Sequence, residues 1–133
     1  MPNDTHVAIR SAADIVTARQ KGRELATSMG FGGSDLTLIA TAISEVARNI
    51  LDHAKQGEIV LQPGHQGNKR GITIVARDKG PGIPDLVMAM QYGYSTRQGL
   101  GVGLPGAKML MDEFDIHSEV GKGTTVAMKK WLH

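Results

Sequence analysis

The sequence predicts an α/β protein of the α+β kind: a two-layer sandwich with a mixed, mainly antiparallel sheet and helices on one face. Three observations carry that expectation. Two consecutive stretches repeat apolar residues at helical spacing, short β-branched runs lie on either side of them, and the order βα, αββ, loop, αββ lacks the regular alternation of a parallel fold. At 133 residues the chain suits one domain spanning 1–133. Hydrophobic residues make up 41% and aromatics 4%, so the core must be aliphatic.

The first element is the strand "THVAIR", residues 5–10, which alternates and holds β-branched residues. Ser11 and Asp14 open a helix reaching about Met29, with Ile15, Ala18, Leu25 and Met29 at helical spacing and "GFGG" as its stop. Ser34 or Asp35 caps a second helix, whose stripe Leu36, Ile39, Ile43, Val46, Ile50 and Ala54 ends near Gln56. "EIVLQP" and "ITIVARD" read as strands joined by "GHQGNKRG" as a hairpin loop. Residues 79–98 mix Gly, Pro and turn formers around one apolar segment and read as a long loop, a length that is functional or disordered. A third helix over about Leu104 to Asp112 and the strands "FDIHSEV" and "TTVAMKKW", joined at "GKG", complete the chain.

Composition removes several function classes. The formal net charge is +2 and the basic residues are dispersed, which argues against a nucleic-acid partner. Without cysteine there is no disulfide, thiolate nucleophile or zinc-thiolate site. The start "MPNDTHVAIR" has neither a basic n-region nor an apolar h-region, and no run approaches the ~18 apolar residues of a membrane span. A cytoplasmic protein without a membrane partner is the expectation. The five histidines show no metal-ligand spacing.

The chemistry-bearing signal is a series of glycines. "GLGVGL", residues 99–104, is spaced G-x-G-x-G after a loop, so it fits neither the G-x-G-x-x-G of a dinucleotide fold nor the G-x-x-x-x-G-K-[ST] of a P-loop. Taken alone it equally marks a turn into a helix. It has company. "RDKGPGI" ends a strand on Asp78 and supplies Gly80 and Gly82 at a sharp turn. "ISEVARNILDHA" sets Glu45 and Asn49 four apart, on one helix face roughly opposite the apolar stripe.

In chain order these are E-x-x-x-N on a helix, D-x-G-x-G after a strand, G-x-G-x-G before a helix and G-x-G-T before the last strand. That series resembles the ATP-binding domain of the GHKL, or Bergerat-fold, superfamily of gyrase and the histidine kinases, over about Ser34 to Trp131. Within it, the shortness and the ending "GKGTTVAMKKW" are similar to the stand-alone serine/threonine kinases of bacterial partner-switching pathways, with "YGYSTRQGLGVGLPGAKMLMDEFDIHSEVGKGT" closest to the stressosome switch kinases.

The resemblance implies ATP and Mg2+, with residues 79–98 as an ATP lid. Asp78 would accept from the adenine amino group while Gly80 and Gly82 let backbone pass close to the base, and Thr124 would support that contact through its hydroxyl or a water. Backbone N–H groups of Gly99, Leu100, Gly101, Val102, Gly103 and Leu104, at the positive end of the third helix, would bind phosphates. Asn49 would contact the metal, Glu45 would be the general base, and Arg97 matches a lid arginine that neutralises charge on the γ-phosphoryl group. Tyr92 and Tyr94, with Met88 and Met90, fit a lid, a partner surface or packing over the nucleotide.

The function implied is phosphorylation of STAS-domain proteins of a stressosome, followed by release to activate an output protein such as a phosphatase. Two alternatives stand beside it: an anti-sigma-factor serine kinase that sequesters a sigma factor, and a non-catalytic ATP-dependent binding module.

Overall fold

The computed structural model describes residues 4–83, Met90 and residues 103–132. Strand β1 (Thr5–Ile9) alternates as its sequence dictates, burying Val7 and Ile9. Helix α1 (Ala12–Met29) starts after the N-cap Ser11, where the Asp14 carboxylate accepts the N–H of Arg10 at 2.8 Å and of Ser11 at 3.1 Å. It stops at Gly30, whose φ of 103° is the left-handed cap that ends helices.

Helix α2 (Gly33–Ala54) begins earlier than the capping residues Ser34 or Asp35 predict, because Leu36 N–H already bonds the Gly32 carbonyl at 3.2 Å. Asp35 therefore lies in the first turn, where its charge complements the helix dipole. The two helices pack closely: a Cβ on Gly22 of α1 would collide with the Ile43 side chain of α2.

Strands β2 (Gly57–Gln66) and β3 (Lys69–Asp78) overturn the long hairpin loop expected over residues 64–71. Gly64 pairs with Gly71, His65 with Arg70 and Gln66 with Lys69, which leaves only Gly67 and Asn68 as the turn. Ladder hydrogen bonds hold this polar end of the hairpin, so no alternating apolar pattern marks it. Helix α3 (Gly103–Leu110) and strands β4 (Glu113–Glu119) and β5 (Gly123–Trp131) follow.

The sheet order is β1-β2-β3-β5-β4 and each of its pairings is antiparallel, so the mixed sheet expected from the sequence is replaced by a fully antiparallel one among the described strands. β5 enters between β3 and β4, which separates the two strands that α3 connects. The core lies between the sheet and the helices, built from Ile9, Ile43, Ile59, Ile72, Ile74 and Met128 with their neighbours. Each such side chain contributes about 1.5–3 kcal/mol on burial. Trp131 ends β5 outside that cluster, with the ammonium groups of Lys69 and Lys129 at 5.7 and 5.8 Å from its ring centre. Among the described residues no helix is long and apolar enough to cross a membrane.

Candidate active site

Helix α2 is covered by the sheet, by α1 and by α3, and this decides the state of Glu45. Its apolar stripe faces the sheet, while α3 packs against a second flank through its buried residues Leu104, Pro105, Gly106 and Ala107. Glu45, placed by sequence periodicity opposite the apolar stripe, is consequently only 7% exposed. A buried carboxylate needs partners. Its Oε1 accepts the Gly103 N–H at 2.7 Å and its Oε2 accepts from Arg48 Nη1 at 3.2 Å. Gly103 is the first residue of α3, so this carboxylate sits at the positive end of a helix, among N–H groups that lack intrahelical acceptors. Asn49 follows one turn along α2 and is half-buried.

A second group forms where β3 ends. Asp78 is half-buried, pairs in register with Thr124 of β5, and accepts the Gly80 N–H at 2.9 Å through Oδ1. The fold itself requires glycine at both positions that follow. A Cβ on Gly80 would lie 2.5 Å from the Ala54 Cβ at the end of α2. Gly82 has a φ of 81°, and a Cβ there would meet the Glu119 carbonyl oxygen at 2.5 Å. Thr124 is 5% exposed, with its hydroxyl 2.8 Å from Ser118 Oγ. Ser118 Oγ in turn accepts the Ile83 N–H at 2.7 Å, tying the start of the 79–98 segment to β4.

Gly103 and Leu104 open α3, while Gly99, Leu100, Gly101, Val102 and Arg97 lie outside the described residues, as do Tyr92, Tyr94 and Met88. Met90 is half-buried and packs against the core.

Residues 10–130 match the family described as the histidine kinase-like ATPase domain. The chain belongs to this family. It is 48% identical over 132 residues to the serine/threonine-protein kinase RsbT of Bacillus subtilis, covering 99% of both chains. It is also 39% identical over 100 residues to the anti-sigma F factor of Thermoanaerobacter sp., covering 71% of this chain and 68% of that protein. Among solved structures, the RsbU and RsbW domains of Rv1364c from Mycobacterium tuberculosis superpose with a TM-score of 0.62 at 23% identity, over 96% of this chain and 32% of that one. The histidine kinase domain of the blue-light activated kinase EL346 from Erythrobacter litoralis gives 0.52 at 18% identity, over 89% and 59%. These two likenesses show the fold. The full-length relationship makes the chain an ATP-using serine/threonine protein kinase of the partner-switching type.

Two residues at the site of this histidine kinase-like domain escaped sequence reasoning. Arg48 was signalled by E-x-x-R, a spacing that brings the two side chains together on one helix face. Ser118 was legible from hairpin register, because a turn centred on Gly121 puts residues 118 and 124 opposite each other and two hydroxyls in contact. A groove of about 620 Å³ opens nearby, lined by Arg10, Glu58, Arg77, Asp78, Lys79 and Thr125. Of the sequence-predicted site residues it holds Asp78 but neither Glu45 nor Asn49, and its Glu58, Arg77 and Thr125 are cross-strand neighbours that alternate with the core residues Ile59, Ala76 and Val126. Within it Glu58 accepts from His6 Nδ1 and Arg77 Nη2, each at 3.0 Å, and the hydrogen bond from His6, reinforced by that from Arg77, holds its carboxyl below the ordinary value against the opposing effect of burial.

Proposed function

We propose that this kinase transfers the γ-phosphoryl group of ATP directly to a serine or threonine of STAS-domain stressosome proteins, then leaves them to activate an output protein such as a phosphatase. The observation that supports the reading most is the buried Glu45 carboxylate at the first N–H of α3, an acceptor built beside the donors that phosphates would use.

In this reading Asp78 accepts from the adenine amino group, with Thr124 beside it on the neighbouring strand. N–H groups of residues 99–104 bind phosphate oxygens, and Arg97 offsets charge on the γ-group. The described residues contain no cluster of three acidic or histidine side chains able to hold a metal by themselves. One amide oxygen from Asn49 completed by phosphates and water therefore suits Mg2+, an oxygen-preferring ion that keeps several waters. When bound, Mg2+ neutralises phosphate charge. Glu45 accepts the proton of the acceptor hydroxyl as that oxygen bonds to the γ-phosphorus, and the β,γ-bridging bond breaks with its electron pair leaving on ADP. A carboxylate held in a dry site has a role in transfer that a pure ATP-binding module has no use for.

The rival reading is an anti-sigma-factor kinase, favoured by the 39% identity to the anti-sigma F factor, though that match spans 71% of this chain against 99% for the switch-kinase relative. One experiment separates them. The protein is incubated with γ-labelled ATP and, in turn, STAS-domain proteins and sigma factors, and the phosphate is located by mass spectrometry. Phosphate on a STAS serine or threonine, followed by release of the kinase, supports the proposal. A stable complex with a sigma factor would replace it with the rival.

A further inference from the structure

Glu45 has two hydrogen-bond partners, and nucleotide binding affects them differently. The Gly103 N–H that Oε1 accepts at 2.7 Å belongs to the opening turn of α3. Under the function proposed above, phosphate oxygens compete for those same N–H groups, and a carboxylate that loses one side of its clamp is free to rotate. The partner on the other oxygen comes from α2 itself. Arg48 Nη1 donates to Oε2 at 3.2 Å from a position three residues further along the helix. The Glu45 side chain is 8% exposed and that of Arg48 37%, so the guanidinium runs from a buried carboxylate to the protein surface. An ordinary i,i+3 surface pair has both ends in water and is worth little. Here one end is dry, and the planar guanidinium offers five donors in a fixed fork of which one is seen on Glu45.

From this asymmetry we infer that Arg48 is a positioning residue for phosphoryl transfer: it holds the Glu45 carboxylate toward the acceptor hydroxyl once phosphate has taken the Gly103 N–H. Arg48 acts through Glu45 and needs no contact with the nucleotide. The inference rests on Glu45 being the proton acceptor, so its test must separate the two residues.

The measurement is single-turnover transfer from saturating MgATP to a STAS-domain acceptor, using the full chain as wild type, Arg48→Ala, Arg48→Lys, Glu45→Gln and the Arg48→Ala/Glu45→Gln double variant. Nucleotide affinity and thermal melting are followed alongside. Misplacing a reacting group by about 1 Å costs on the order of 10²-fold, so Arg48→Ala should slow transfer by roughly 10- to 100-fold while ATP affinity stays within about twofold. Arg48→Lys, which keeps a cation on a long stem, should recover most of the rate. The double variant should be no slower than Glu45→Gln alone, the non-additivity of two residues acting as a unit. A wild-type rate in Arg48→Ala, or losses that multiply in the double variant, would overturn the positioning role while leaving Glu45 in place. Equal losses of ATP binding and transfer in both Arg48 variants would make Arg48 a nucleotide or structural residue instead. A Glu45→Gln protein with full transfer, or a wild type that phosphorylates no STAS acceptor, would remove the functional reading itself and this inference with it.

Discussion

Asp78 and Asn49 are both small polar side chains, yet the proposed function gives them opposite tasks. Asp78 ends a strand with Oδ1 already bonded to Gly80 N–H, so its carboxylate is fixed as an acceptor. Asp78→Asn should weaken ATP binding and blur discrimination between adenine and guanine nucleotides, since an amide can present a donor to the adenine amino group. Calorimetry with ATP and GTP checks this, and unchanged ATP affinity would remove Asp78 from the base contact. Asn49→Ala should abolish Mg2+-dependent nucleotide binding, read as loss of the affinity difference between Mg2+ and EDTA. The placement of Glu45 and Asn49 on one helix and of Asp78 at a strand end was legible in the sequence, because motif spacing carries it. Burial was not: helical periodicity put Glu45 opposite the apolar stripe, and only the docking of α3 on that flank makes it a buried carboxylate.

At the scale of elements, helices were readable to within two or three residues, because caps and apolar periodicity are local. The Asp14 carboxylate serves the N–H groups of both Arg10 and Ser11 at the start of α1, so Asp14→Ala should cost about 1 kcal/mol in urea unfolding, without altering ATP affinity. The β2–β3 hairpin was under-read, since its outer half consists of polar residues held by ladder bonds. Gly123 couples the last hairpin to the site. Its φ is 123° and an added Cβ would strike the Asp78 carbonyl oxygen, so Gly123→Ala should destabilise by about 1–3 kcal/mol and weaken nucleotide binding through Asp78. Unchanged melting and affinity would show that this approach relaxes freely.

For the whole molecule, the α+β sandwich followed from element order, whereas the insertion of β5 between β3 and β4, and with it the fully antiparallel sheet, is a tertiary choice that no local pattern records. The His6–Glu58–Arg77 cluster joins the three adjacent strands β1, β2 and β3 on their exposed side, which makes acid stability a property of the assembled fold. The Glu58 carboxyl is depressed below 4.5, so its contribution is present above that value and lost as pH falls through its lower native value. The difference in melting temperature between wild type and Glu58→Gln should therefore be present near about pH 6 and shrink as pH falls below 4.5. A difference that persists at the acid end would assign the effect to packing rather than charge.

The central claim is that the fold buries Glu45 beside the phosphate-binding turn in order to accept a proton during transfer. It is tested most directly by single-turnover transfer from γ-labelled ATP to a STAS-domain acceptor, with Glu45→Gln set against wild type at saturating Mg2+. The account predicts a loss on the order of 10²–10⁴-fold in rate, the usual contribution of a positioned general base, with nucleotide affinity, melting temperature and acceptor binding retained. Transfer by Glu45→Gln at the wild-type rate, or a loss of nucleotide binding equal to the loss of transfer, would contradict it.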